Sequence, residues 1–120
     1  MRFMMIMIPD AYRKPVSPDF MPDPEAVQKM GTYNERLQKA GVLLALDGLM
    51  PPSKGARVSF SSGKPLVTDG PFTETKEVFG GYWMINVASR EEAIEWARQC
   101  PADRGDVIEI RQVYEASDFE

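Results

Sequence analysis

The sequence predicts one α+β domain of ferredoxin-like build: β-α-β-β-α-β with an extra β-hairpin, both helices on one face of an antiparallel sheet. Three observations predict it. Two segments of helical period each carry their own cap; a short, strongly apolar run opens the chain; a turn-rich middle reads as strands alone. With 120 residues, 43% apolar and 27% charged, the chain has room for one domain, residues 1–120, that buries roughly 65% of its unfolded surface.

Residues 2–8 form an apolar strand closed by Pro9. Pro9, Pro15, Pro18 and Pro22 make residues 9–22 an ordered loop or flap. The first helix opens with Asp23 as N-cap and Pro24 at its first position, and Gly41 supplies the left-handed stop. Val27, Met30, Tyr33, Leu37 and Ala40 recur at three- and four-residue steps as one apolar stripe. Residues 42–49 are a buried strand interrupted by Asp47 and ended by Pro51-Pro52. Residues 57–61 alternate, with Val58 and Phe60 facing in; Ser62-Gly63 turns the chain and residues 64–68 return. Asp69-Gly70-Pro71-Phe72 makes a rigid corner, and residues 80–87 are the next long strand. Ser89 caps the second helix and Glu92 completes a capping box. Ala93, Trp96, Ala97 and Cys100 are its inner face, Pro101 ends it, and residues 107–114 are the last strand.

Helices on one face leave the other face bare, where an open sheet carries polar residues. Here the first strand sets Phe3, Met5 and Met7 on one side and Met4, Ile6 and Ile8 on the other; residues 80–87 set Trp83, Ile85 and Val87 against Tyr82 and Met84. Four such side chains left in water forfeit about 6–12 kcal/mol together, comparable to a domain's net stability. A second copy laid sheet to sheet is the economical cover, so a homodimer through the sheet face is expected. A proline-rich loop folded over the sheet is the competing cover.

Composition excludes several functions. A net charge of −4 with scattered Lys and Arg offers no basic stripe, so no nucleic-acid partner is expected. No stretch reaches about 18 apolar residues, and the apolar start stops at Pro9-Asp10 without a small-residue cleavage site, so the reading is a cytoplasmic protein with no membrane partner. One cysteine, Cys100, permits no internal disulfide and reads as a plain buried thiol. The chain has no histidine, which removes Ser-His-Asp and Cys-His machinery and the usual zinc sites. Gly80-Gly81 opens a strand and is no phosphate loop. Neither a cofactor nor a tightly bound transition metal is expected. Carboxylate, lysine and tyrosine remain for proton transfer.

The charged segment after the Gly-Pro corner is the first candidate site. Lys76 can hold one of Glu74 and Glu77 ionised while burial raises the pKa of the other, the route to a general base near neutrality. Glu74, Lys76 and Glu77 are therefore the candidate catalytic residues, against a reading in which they are solvated and Asp69 only caps a turn. Asp47, Asp69, Phe72, Tyr82 and Arg111 are the candidate ligand contacts. Glu109 and Arg111 lie two apart on one strand face and can pair or line one cavity; solvation at a sheet edge is the competing reading.

Val67-Thr68-Asp69-Gly70-Pro71-Phe72, then Thr73-Glu74-Thr75-Lys76-Glu77 and Gly80-Gly81-Tyr82, resembles the signature of the DGPF branch of the YCII-related family. Gly48-Leu49-Met50-Pro51-Pro52 and Ser89-Arg90-Glu91-Glu92-Ala93-Ile94-Glu95-Trp96-Ala97 before Cys100-Pro101 fit the same pattern. The resemblance implies a dimeric α/β barrel. The wider family's His–Asp pair cannot carry over to a chain without histidine. Two functions follow as expectations: a small-molecule pocket of unassigned activity, with cofactor-free acid–base chemistry of the isomerase or lyase type, or a non-catalytic ligand-binding or regulatory module linked to extracytoplasmic-function sigma factor signalling. The second is implied by the resemblance alone.

Overall fold

The apolar pattern of the first strand, β1 (Arg2–Ile8), places it at the centre of a four-stranded sheet. In this computed structural model, which describes residues 1–61, 63–70 and 78–120, β1 is flanked by β5 (Gly81–Asn86) and β6 (Val107–Gln112), and β2 (Leu43–Gly48) completes the order β2-β5-β1-β6. All three pairings are antiparallel. With helices α1 (Pro24–Lys39) and α2 (Arg90–Arg98) following β1 and β5, this is the strand order of a ferredoxin-like plan.

Local signals set the helix ends. The Asp23 carboxylate accepts from the Glu25 N–H at 3.4 Å, Pro24 takes the first position, and Gly41 holds a φ of 75°. The Ser89 hydroxyl accepts from the Glu92 N–H at 3.1 Å. The Glu92 carboxylate reaches the Ala88 N–H at 3.0 Å rather than that of Ser89, so the expected capping box closes one residue early.

Both helices cover one sheet face, where Phe3, Met5, Trp83, Ile85 and Val87 meet Tyr33, Leu37 and Ala93. The Tyr33 hydroxyl donates to the Trp96 carbonyl at 2.6 Å and ties α1 to α2; burial raises its pKa. The expected α1 stripe holds only at its centre. Tyr33 and Leu37 are buried, but Val27 is 53% exposed, because the first turns of α1 stand off the sheet, and Ala40, the C-cap beyond the last turn, is exposed.

Two further expectations are corrected. Ile6 and Ile8, on the face away from the helices, are only 4% and 5% exposed within one chain, so that face is not left in water to the extent alternation implies. Val58 and Phe60 do not face in: they are 51% and 67% exposed. Strands β3 (Ala56–Ser59) and β4 (Leu66–Asp69) pair with each other as a separate two-stranded sheet, and every residue of both strands is exposed. The Cα radius of gyration, 16.2 Å, exceeds the roughly 14 Å typical of this length. No described helix is long and apolar enough to cross a membrane.

Candidate functional site

Glycine creates the cavity. On the helix face, Gly48 lies beside Gly81, which lies beside Met7, so two adjacent strand positions bring no side chain to the layer under α1. The close approach of β2 demands this: a Cβ on Gly81 would fall 2.7 Å from the Asp47 carbonyl oxygen. One on Gly80 would fall 2.5 Å from Pro9 Cγ. Above this bare patch stand Ala26, Met30, Gly31 and Asn34 of α1. The loop through Asp10 and Tyr12, with Phe20 and Pro22, closes one side, and Asp103, Arg104 and Asp106 close another. The space between them, open to solvent on its remaining side, is about 680 Å³, within the range of small-molecule sites.

The walls are mainly apolar, with Met7, Val27, Met30, Leu46, Leu49 and Trp83. Most carboxylates around the rim already have partners. Asp106 accepts from the backbone N–H of Asp10 and of Asp103, each at 2.8 Å, and so joins the two loops. Asp10 pairs with Arg13 at 3.5 Å, and Asp23 caps α1. Tyr12 is buried, donates to the Leu49 carbonyl at 3.0 Å and packs edge-on against Phe20, which anchors the proline-rich loop; burial raises its pKa.

Two neutral polar groups meet on the inner wall. The Trp83 indole N–H donates to Asn34 Oδ1 at 2.7 Å. Arg104 makes no ion pair among the described residues. Behind the wall, Cys100 Sγ lies 3.8 Å from Met30 Sδ. Burial, with a smaller contribution from Asp106, pushes the Cys100 thiol up to about 11, so it is protonated at neutral pH; the residue is half-buried, short of the fully buried thiol expected.

The structure brings together two of the expected ligand contacts. Tyr82 donates to Asp47 Oδ2 at 2.7 Å, and this bond, with a smaller effect of burial, raises the pKa of the phenol. Both residues touch the cavity wall, although strand alternation turns their side chains to the sheet face away from the helices. Arg111 is not at the cavity. It pairs with Glu109 at 3.3 Å, so the pair forms without lining that cavity, and it sits opposite Met4. Asp69 ends β4 opposite Ala56, exposed and away from the cavity. Phe72, Glu74, Lys76 and Glu77 lie outside the described residues. Among the described residues no acids and thiols gather into a metal-binding group.

Sequence reasoning missed Asn34, Trp83 and Arg104 as site residues. For Asn34 a signal existed: Met30, Asn34 and Leu37 are spaced four and three apart, which puts an amide inside the apolar stripe.

Fold and cavity together define a small α+β domain with ferredoxin-like strand order and an apolar cavity beneath its first helix. The model of the YCII-related domain matches residues 1–117, and the chain belongs to that family. An uncharacterized protein of Rhizobium meliloti is 35% identical over 76 residues, 63% of this chain and 61% of that protein. The match thus spans about three-fifths of that relative's length.

Proposed function

We propose that this YCII-related domain is a small-molecule-binding module whose ligand, a mainly apolar organic compound, lies in the cavity beneath α1. One observation carries the reading: a space of about 680 Å³ stays open because Gly48 and Gly81 bring no side chain to it. A mainly apolar cleft of that size beside the packed core is what a small-molecule site needs. Gly31 provides the test, because a Cβ there meets nothing within 4 Å while the residue lines the cavity. A thermal-shift screen of metabolites on the full chain should yield stabilising compounds, and Gly31→Leu should abolish those shifts without lowering the melting temperature. Shifts that survive Gly31→Leu would place binding elsewhere.

We further propose acid–base catalysis on the bound compound by Glu74, Lys76 and Glu77. Its support is sequence adjacency: Glu77 stands three residues before Gly80, which lines the cavity. The Asp69-Gly70-Pro71-Phe72 run supports membership of the DGPF branch, and with it the dimeric barrel. Exposed apolar side chains support a second copy as cover: Val58, Leu66 and Val67 on the hairpin and Leu44 on β2.

A further inference from the structure

We infer that the compound bound beneath α1 carries a hydrogen-bond acceptor, a carbonyl or carboxylate oxygen, which the amide N–H groups of Asn34 recognise. This inference rests on the cavity reading above and specifies its ligand class.

The argument starts from what an indole can do. Trp83 Nε1 is a donor only, so the Asn34 atom 2.7 Å from it has to be the carbonyl oxygen. That settles the amide's orientation from chemistry. Its Nδ2 then carries the two remaining N–H donors, and no described residue accepts from them. Nor is Nδ2 among the buried unpartnered side-chain atoms, of which the described residues hold one, the Ser53 hydroxyl. The donors of Asn34 are therefore accessible, and Asn34 lines the cavity.

The position is costly for asparagine, because a mid-helix amide competes with its own backbone. Holding Trp83 uses only the oxygen; an oxygen acceptor on a ligand is what the free N–H groups add.

The alternative, a cationic ligand drawn by the acidic rim, finds few free acids. Asp106, Asp10, Asp23 and Asp47 each hold a donor already. The rim charges without a partner among the described residues are the sequence neighbours Asp103 and Arg104, which offset each other in sign. On the half-buried wall, Asn34 decides.

The test titrates the full chain with four probes of one shape: benzylacetone, hydrocinnamate, phenylpropylamine and propylbenzene. Amide NMR follows the Asn34 side-chain N–H₂ and the Trp83 indole N–H. We expect the ketone, the carboxylate or both to bind about tenfold tighter than the amine, the worth of one well-made hydrogen bond, and to move the Asn34 resonances where propylbenzene does not. Comparing ketone with carboxylate distinguishes a neutral from an anionic acceptor. Asn34→Asp keeps an oxygen for Trp83 but removes the donors, so the acceptor probes should weaken about tenfold more than propylbenzene does. Amine preference in the wild type, or acceptor affinities untouched by Asn34→Asp, would overturn the inference even though propylbenzene binding still upheld the cavity. If none of the four probes moves either resonance, the cavity reading falls too. Should Asn34→Asp fail to fold, the wild-type ranking and the Asn34 shifts decide alone.

Discussion

The Trp83 indole donates to Asn34 Oδ1 at 2.7 Å, and the same ring meets Tyr33 edge-on, with centroids 5.8 Å apart at an interplanar angle of 90°. One residue of β5 is thus held by two consecutive residues of α1. The wall of the cavity is oriented before anything enters it, so a ligand orders little on binding.

Asn34→Leu should destabilise the protein by about 1–3 kcal/mol, because it leaves the buried Trp83 N–H without an acceptor. Urea unfolding measures this. A loss below about 0.5 kcal/mol would show that the indole finds another partner.

Gly81→Ala and Gly31→Ala should act with opposite sign. A Cβ on Gly81 meets the Asp47 carbonyl oxygen at 2.7 Å and must push β2 from β5, at a cost of about 1–3 kcal/mol. At Gly31 a Cβ meets nothing within 4 Å, and removing a helix-interior glycine should stabilise by about 0.5–1 kcal/mol. Thermal melts of the two variants decide, and the account of the bare glycine patch fails if Gly81→Ala is neutral.

Arg2 grips Glu115 with two bonds, Nε to Oε1 at 2.6 Å and Nη2 to Oε2 at 3.1 Å. That hydrogen bonding holds the Glu115 carboxyl below its usual range. A depressed folded pKa contributes stability above the unfolded value, about 4.3, and loses it as pH falls through the folded one. Both side chains are substantially exposed, so the effect is small and weakened by salt. Stability should therefore fall more steeply with acid in the wild type than in Glu115→Gln. Identical slopes below about pH 4 would count against the pairing.

Light scattering at micromolar concentration should give twice the chain mass. Met84→Glu on the sheet face, or Val67→Glu on the hairpin, should lower it to one chain while preserving the fold. Met5→Glu should instead unfold the protein, since Met5 is fully buried under the helices. A monomeric wild type would remove the proposed dimer.

Substituting Glu77→Gln or Glu74→Gln should abolish turnover or weaken binding of a compound found in the screen while leaving the melting temperature in place. If melting changes and binding does not, these residues belong to the scaffold.

Where a signal is local, the chain's own order sufficed. Asp23, Pro24 and Gly41 bound α1, Ser89 opens α2, and the run of residues 2–8 becomes the central strand, because capping, φ preference and strand alternation act over a few neighbouring residues. The pairing of Asp47 with Tyr82 was half legible: both interrupt or edge apolar runs, but only the register of β2 with β5 makes them neighbours.

The cavity was decided by tertiary structure alone. It exists because Gly48 and Gly81, distant in sequence, fall side by side in the sheet, and because α1 crosses above them with Gly31 and Asn34. Periodicity tells which residues share a helix face; it does not tell how far the helix stands from the sheet, and so Val27 joined the predicted core and Asn34 did not. The hairpin followed the same rule. Alternation at Val58 and Phe60 called for an apolar partner layer, yet alternation carries no information on whether the chain supplies one, and β3 and β4 pair apart from the main sheet. Local preference is written along the sequence, whereas the distance between packed layers depends on every side chain that does or does not stand between them.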